Sequence, residues 1–295
     1  MQLSLGIPNF GSWPGADLRD LLEVARAADD AGVDRLVVSD HVLLGRNLDA
    51  YRWGRFPTGP DGAWLEPLTC LTAFAAVTSR ARLSTGILIA PLRPAALLAK
   101  TVATLDSLSG GRVDLGVGVG WQKEEYDALG VDFSRRGDLL DETVAACRAL
   151  WSSMPASYDG AHVHFADVFC SPQPAQPRLP VWFSGTLTDR TVRRVVELGD
   201  GWIPIMGASV EDIRAGAARL RESTPRSVDV QAPLAPVRRD DKSLDVDATM
   251  RQLPDLAAAG VTNVYLNAAT LARSPNEVER ALPALVEALR RSVAP

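Results

Sequence analysis

The chain has 295 residues, about twice the commonest domain length, although α/β barrels often use this much chain as one domain. Hydrophobic residues make up 46% and charged residues 23% of the sequence, which argues against wholesale disorder. The net charge of −5 argues against a protein that binds nucleic acid through its phosphate backbone.

Strand and helix patterns alternate along the chain. The first strand is predicted over Leu3–Phe10, and a helix over 17–30, where apolar residues recur on one helical face. The apolar segment 35–39 then predicts a strand that is buried on both faces, and a third strand is predicted over 83–90. The later strands are predicted to begin near Val113, Val181, Trp202, Val228 and Val264. Helices are predicted over 66–79, 94–108, 139–151 and 189–198, and from 209 and 274 onwards.

This alternation predicts the fold class. Eight strands, each followed by a helix, favour an α/β protein with a (β/α)8 barrel, or TIM barrel, formed as one domain by residues 1–295. Two similar segments, AGVDRLVVSDH at 31–41 and AGVTNVYLNAA at 259–269, indicate a repeated βα unit. A doubly wound open sheet is the alternative.

Two segments are too long to be simple connections between elements. Residues 42–64 follow the second strand, and on a barrel this loop lies at the C-terminal face, where active sites sit. Residues 152–178 follow the fourth helix and are predicted to hold a hairpin around Gly160. We expect both loops to shape a substrate pocket, although aromatic rings also serve to pack an ordered loop. The expected aromatic walls are Tyr51, Trp53, Phe56 and Trp64.

Asp40 and His41 end the second strand, on the face expected to be catalytic. Histidine changes charge near neutral pH, so this pair is a candidate for acid/base chemistry or for orienting a ligand. The alternative is that Asp40 caps a helix and His41 is a polar residue satisfied within the protein. Adjacent strand residues point to opposite faces, which disfavours a Ser-His-Asp triad here.

Glycines cluster at two other predicted strand ends. Residues 116–120 alternate glycine and valine, but Trp121 and Lys123 stand where a dinucleotide-binding fingerprint needs its third glycine. These glycines either let the backbone approach an anionic or planar ligand or relieve crowding at a strand tip. The strand-to-helix turn at 184–186 is a candidate phosphate site, because N–H groups at a helix start are free.

No metal site is predicted. His162 and His164 are spaced to lie on one strand face, but a metal site needs further ligands, so a solvated hairpin face is the favoured interpretation. The three cysteines form no CxxC pair, which fits a reducing, cytoplasmic location. No signal peptide or membrane-spanning segment is evident, and no partnership with a membrane or a nucleic acid is expected.

Taken together, these segments resemble a known family. The stretch LSTGILIAPLRPAALLAKTVATLDSLSGGRVDLGVGVGWQKEEYDALG at 83–130 is similar to the most characteristic part of the bacterial-luciferase-like flavin and deazaflavin oxidoreductases. VVSDH (37–41), PVWFSG (180–185) and DGWIP (200–204) fall where that family has its other signatures. The resemblance implies a (β/α)8 barrel with its flavin at the C-terminal face. The SDH and GVGxGW motifs are similar to the subfamily that uses coenzyme F420, a deazaflavin that transfers a hydride at ring carbon C5.

The resemblance also implies roles for individual residues. Asp40 and His41 would lie beside the reactive ring edge, as catalytic residues. A non-prolyl cis peptide is implied at Gly86–Ile87, in a bulge that supports the ring. The implied cofactor-binding residues are Asp40, Thr85, Gly86, Ile87, Gly118, Val119, Gly120, Trp121, Tyr126, Gly185 and Thr186, the last two at the phosphate.

The chain departs from the family pattern at three places. Trp121 stands where the sugar-phosphate dehydrogenases of this group have a catalytic glutamate. Asn9 and Phe10 stand where those enzymes have an acid, so glucose-6-phosphate is not an expected substrate. The turn reads Ser184-Gly185 where many relatives have two glycines, which leaves the phosphate contacts open.

Several functions fit this resemblance. The leading hypothesis is an F420-dependent oxidoreductase acting on a small organic substrate, with an F420 or flavin reductase as electron source and a homodimeric assembly. The near alternative is an FMN-dependent two-component monooxygenase of the same family. A non-catalytic flavin-binding barrel is disfavoured by His41, and an aldolase-type barrel would need a lysine inside the barrel, for which Lys123 is the candidate.

Overall fold

The computed structural model describes residues 1–11, 13 and 17–292. The strands run in a closed ring, β1-β2-β3-β5-β8-β9-β10-β11 and back to β1, with every neighbour parallel. This ring confirms the predicted (β/α)8 barrel, and the open-sheet alternative is wrong. The strands are β1 (Gln2–Gly6), β2 (Arg35–Val38), β3 (Arg82–Thr85), β4 (Leu88–Ile89), β5 (Val113–Gly118), β6 (Ala156–Asp159), β7 (His164–Val168), β8 (Val181–Ser184), β9 (Gly201–Ile203), β10 (Asp229–Pro233) and β11 (Asn263–Asn267).

The third barrel strand differs from its prediction. Residues 83–90 do not form one strand, because Gly86 and Ile87 separate β3 from β4. The peptide bond between these two residues is cis, as the family resemblance implies. β4 then pairs with the end of β5 through Leu88 and Ile89.

Helices follow the strands and cover the barrel. Ser209 caps α7 through the predicted capping box with Asp212. The first helix begins three residues later than predicted, because the Asp17 side chain accepts the Arg19 N–H (2.8 Å) and holds residues 17–19 in a turn. Within the part of the chain that the structure describes, no helix is long and apolar enough to cross a membrane. The helices are α1 (Asp20–Ala31), α2 (Pro67–Val77), α3 (Ala95–Ser109), α4 (Lys123–Ala128), α5 (Arg136–Ser152), α6 (Asp189–Leu198), α7 (Val210–Ser223), α8 (Val246–Met250), α9 (Leu253–Ala258), α10 (Ala268–Leu271) and α11 (Pro275–Ser292).

Large side chains inside the barrel pack against glycines on neighbouring strands. A Cβ on Gly6 would lie 2.1 Å from the hydroxyl of Tyr265, and one on Gly201 would lie 2.3 Å from the Trp182 indole. The glycines therefore leave space for these rings, as close packing requires. Burial in this setting raises the pKa of Tyr265 to about 12.

The two long loops lie in different places. Residues 42–64 follow β2 and cover the C-terminal mouth of the barrel, as predicted, with Leu65 donating its N–H to the Asn9 carbonyl (2.7 Å). Residues 152–178 hold the predicted hairpin, β6 paired with β7. This second loop joins a helix to a strand, so it starts from the opposite end of the barrel, and its hairpin packs along α5. Its part in shaping the pocket stays a prediction.

The hairpin also corrects the placement of its histidines. β7 begins at His164, so His162 lies in the turn before it and not on the same strand face. His162 Nδ1 lies 2.8 Å from Glu142 Oε1, and its Nε2 lies 2.8 Å from Arg135 Nη1. His162 is therefore held between α5, which carries Glu142, and the short turn before α5, which carries Arg135.

Candidate active site

The predicted site residues follow four successive barrel strands at one end. Residues 39–41 end β2, residues 85–87 separate β3 from β4, residues 118–121 end β5, and residues 184–186 end β8. The strands are paired in register, with Val38 opposite Thr85 and Ile89 opposite Gly118. Parallel strands in a barrel carry their carboxyl ends on the same face, so these four segments meet at the C-terminal mouth.

The Asp40 carboxylate is fully engaged below this mouth. It accepts two hydrogen bonds from the Arg93 guanidinium, at 2.6 and 3.0 Å, and one from the Ile89 N–H at 2.8 Å. Arg93 also donates to Glu66 (3.0 Å), and it is Glu66, not Asp40, that caps α2. Burial lowers the pKa of Arg93, but its bonds to Asp40 and Glu66 outweigh this and raise that pKa. Asp40 therefore ties the end of β2 to β4, with its oxygens already occupied.

His41 has one engaged and one open ring nitrogen. Nδ1 lies 3.0 Å from Oε2 of Glu125, whose side chain is fully buried. Nε2 makes no hydrogen bond to a described residue, and the residue as a whole is 9% exposed. His41 lies just past the end of β2, at the mouth, and this nitrogen has no partner there among the described residues. A histidine held by a carboxylate at one nitrogen and open at the other is suited to proton transfer.

Two buried polar residues of the β5–α4 segment hold the chain just after His41. Glu125 Oε1 accepts the N–H of Val42 (2.8 Å). Gln122 accepts the N–H of Gly45 (3.0 Å) and donates to its carbonyl (3.3 Å). Gln122 and Glu125 are 1% and 0% exposed, and we call them the α4 clamp. The clamp joins the loop that carries His41 to the predicted cofactor segment 118–121.

Sequence reasoning missed the α4 clamp. Its only signal is a pair of polar residues three positions apart, a spacing that places them on one helical face. α4 is six residues long, which is too short for an apolar periodicity to reveal a buried face. Arg93 was missed as well, because nothing local distinguishes it from the many exposed arginines of the chain.

Aromatic rings from the first long loop and the β5 end surround His41. The His41 ring makes edge contacts with Phe56, Trp64 and Trp121, with centroids 5.4, 4.7 and 5.8 Å away. Tyr51 lies against Trp121 at 5.4 Å. The aromatic residues of this loop thus form an aromatic cluster whose rings contact one another as well as His41. The members of the cluster are Phe10, Tyr51, Trp53, Phe56, Trp64 and Trp121.

The glycines of segment 118–121 fit closely against the cis bulge. A Cβ on Gly118 would lie 2.8 Å from Ile87, and one on Gly120 would lie 2.9 Å from Ile89. Gly120 also has φ +65°, which side chains rarely adopt. Tyr126 donates its hydroxyl to the Val119 carbonyl (2.5 Å) from a fully buried position. The structure therefore places Tyr126 behind the segment, where it supports the backbone.

Thr85 is also buried, and its hydroxyl donates to the Gly116 carbonyl at 2.6 Å. This bond joins β3 to β5 directly below the bulge. The Thr85 side chain is therefore engaged within the barrel wall and does not reach the mouth.

The turn after β8 is more open. Gly185 has φ +134°, and no atom lies within 4 Å of where its Cβ would be. Its N–H donates to the Ile203 carbonyl (3.0 Å), and its own carbonyl accepts from the Trp202 indole (2.8 Å). Thr186 is exposed and precedes α6, which Thr188 caps. Gly185 therefore leaves open space at this turn, and its N–H is already engaged by the Ile203 carbonyl.

Comparisons with known proteins agree with this geometry. The model of the luciferase-like monooxygenase family matches residues 3–289. An uncharacterized protein of Mycobacterium tuberculosis, Rv0953c, is 33% identical over 259 residues, which cover 81% of this chain and 84% of the relative.

Two solved structures share the fold over nearly the whole chain. The monooxygenase RslO1 from Streptomyces bottropensis has a TM-score of 0.78 at 20% identity and covers 100% of both chains. An F420-dependent secondary alcohol dehydrogenase in complex with an F420-acetone adduct has a TM-score of 0.77 at 18% identity, with 98% of this chain and 99% of that one covered. At these identities the likeness concerns the fold alone.

Proposed function

The chain belongs to the luciferase-like monooxygenase family, and from this premise we propose that it is an oxidoreductase that uses coenzyme F420 to reduce or oxidise a small organic substrate. The observation that carries the proposal is His41, which is held at Nδ1 by Glu125 and open at Nε2 beside the glycine segments of the mouth. The resemblance of the SDH and GVGxGW motifs to the F420 subfamily favours the deazaflavin over FMN.

The residues at the mouth fit a flat ring with an anionic tail. Gly86 and Gly120 keep partly exposed backbone without a side chain, while the side chains of Ile87 and Ile89 fill the space beside Gly118 and Gly120. The open space at Gly185, next to the exposed Thr186 and the start of α6, suits a phosphate. We propose the cis bulge 85–87 and segment 118–121 as the residues that hold the ring and its tail.

The chain's own residues would manage the proton. When bound, F420 supplies or accepts a hydride at C5 of its ring. In the reducing direction, the substrate atom that becomes basic needs a proton, and His41 Nε2 is placed to give it. The aromatic cluster around the histidine limits the access of water to this proton. We assign Asp40 as a positioning residue, because Arg93 and the Ile89 amide already occupy its oxygens.

An FMN-dependent monooxygenase supplied by a separate reductase is the second candidate. Its support is the similarity of the fold to the monooxygenase RslO1. The same glycine segments would accept either ring, so the two candidates differ in the cofactor bound and in the need for oxygen. A non-catalytic barrel is disfavoured by His41, whose Nε2 has no partner among the described residues, whereas the structural His162 has both ring nitrogens engaged.

We also propose that the chain forms one domain in a cytoplasmic homodimer, with an F420 or flavin reductase as its electron source. Leu97 and Leu108 on α3 are 61% and 71% exposed and lie about three helical turns apart, so they share one outer face. Such a face suits contact with a second copy of the chain. Sedimentation of the purified protein at several concentrations would reveal the assembly, and a monomer throughout would contradict it.

Fluorescence titration of the purified protein tests the cofactor assignment. We expect saturable quenching of F420 fluorescence, and binding at least about tenfold tighter than that of FMN, a difference of roughly 1.4 kcal/mol. Tighter binding of FMN would favour the monooxygenase. Binding of neither cofactor would overturn the proposal.

A further inference from the structure

Glu125 offers two acceptor oxygens to two donors at the base of the mouth. Oε1 accepts the Val42 N–H at 2.8 Å, and Oε2 lies 3.0 Å from His41 Nδ1. The carboxylate is 0% exposed, and no other described residue makes a hydrogen bond or ion pair with its oxygens. An ionised carboxylate only accepts hydrogen bonds, so Nδ1 must carry the proton between the two groups.

We propose that Glu125 is a positioning residue that fixes the protonation pattern of His41, with the hydrogen on Nδ1 and the lone pair of the neutral ring on Nε2. This inference rests on the proposed function for its catalytic meaning. Before transfer, the charged ring carries a hydrogen on each nitrogen and is stabilised by the buried carboxylate. Nε2 then gives its proton to the basic substrate atom, and the ring is left neutral with its remaining hydrogen on Nδ1.

The competing arrangement has the opposite pattern. A protonated Glu125 would donate to a bare Nδ1, and the neutral ring would then carry its hydrogen on Nε2. This arrangement holds two protons, as the proposed pair does while its ring is charged, whereas the proposed pair with a neutral ring holds one. The tautomer of neutral His41 therefore separates them, and it can be measured without cofactor or substrate.

The variant Glu125→Gln gives a sharp prediction because an amide has one acceptor oxygen and one NH2 donor. The Val42 N–H cannot lose its hydrogen, so we expect the amide oxygen to remain with Val42 and the NH2 group to face His41 Nδ1. Nδ1 must then be bare, which moves the hydrogen of the neutral ring to Nε2. A role limited to tethering the loop would leave the tautomer unchanged.

Long-range ¹H–¹⁵N NMR over a pH series reads the protonation of each ring nitrogen directly, and the chain has only three histidines to assign. We expect the Nδ1–H form at His41 in the native protein and the Nε2–H form in Glu125→Gln. Glu142→Gln is a matched control, because Glu142 holds His162 Nδ1 in the same way, and it should change only the His162 signals. An Nε2–H form at His41 in the native protein would overturn the proposal even if the variant fails to fold.

Activity supplies the second readout. With F420 and a reducible substrate, Glu125→Gln should lower kcat by about 10² to 10⁴, the scale expected for a histidine in the wrong tautomer, with little change in KM or F420 affinity. An unchanged kcat alongside an inverted tautomer would contradict the positioning role. Failure of F420 to bind the native protein would overturn the proposed function instead, while the tautomer result would still stand.

Discussion

Two histidine–glutamate pairs in this chain show what distinguishes a reactive site from a structural one. His41 with Glu125 and His162 with Glu142 both use Nδ1 against a carboxylate, at 3.0 and 2.8 Å. At His162, Arg135 occupies Nε2, and the pair lies on the hairpin along α5. At His41, Nε2 is open and the ring stands among aromatic side chains. The free nitrogen and its surroundings, more than the pairing itself, mark His41 as a candidate acid.

The largest effect is expected from removing His41. His41→Ala should lower F420-dependent turnover by about 10² to 10⁴, the usual worth of a positioned general acid. The measurement is the oxidation of reduced F420 with a panel of conjugated ketones as acceptors. Cofactor affinity should change far less, because the glycine segments supply most of the binding. Full turnover together with lost F420 binding would make His41 a binding residue and refute its role as the acid.

The next largest effect, on stability, is expected from changing Asp40, which precedes His41 and ties the end of β2 to β4. Asp40→Asn removes the charge that pairs with Arg93, whose side chain is only 15% exposed, and should lower the free energy of unfolding by roughly 3 kcal/mol. Urea denaturation measures this change. Arg291→Met breaks a pair that is 63% and 69% exposed and is the matched control, with an expected change within about 0.5 kcal/mol. Equal effects of the two variants would show that the Asp40–Arg93 pair does not hold the mouth.

A smaller effect is expected at the glycine segment beside His41. Gly120→Val places a branched side chain at φ +65° and against Ile89, so F420 affinity should fall by about 10- to 100-fold. Fluorescence titration measures the affinity, and circular dichroism checks that the variant is folded. A folded variant with native affinity would remove segment 118–121 from the cofactor site.

The smallest effect belongs to the hairpin. Glu142→Gln should leave turnover within about threefold of the native value and lower the free energy of unfolding by less than about 1 kcal/mol, because the pair is partly exposed. Steady-state kinetics and urea denaturation measure both. A large loss of turnover would show that the hairpin pair also serves the active site and would remove the contrast between the two pairs.

The fold and the segments that form the site could be predicted from the sequence. Apolar strands and capped helices are local patterns, so the alternation 35–39, 83–90 and 113–119 led directly to a barrel. The position of Asp40 and His41 followed from the strand end at Val38.

The contacts between segments far apart in the chain could not be predicted from the sequence. Glu125 meets His41 across 84 positions of the chain, and Arg93 meets Asp40 across 53, so only the closed barrel brings them together. The hairpin of the second long loop is present as predicted, and its part in the pocket stays a prediction. A loop from helix to strand begins at the N-terminal face, and the described contacts of this hairpin include α5 and the turn before it.

A crystal structure of the protein with F420 would show directly whether the ring binds beside His41. We expect the deazaflavin ring at the C-terminal mouth, against the Gly86–Ile87 bulge, with His41 Nε2 facing the space next to the ring and the phosphate near Gly185 and Thr186. A ring bound elsewhere on the molecule, or His41 turned away from it with Nε2 engaged by another residue, would contradict the account.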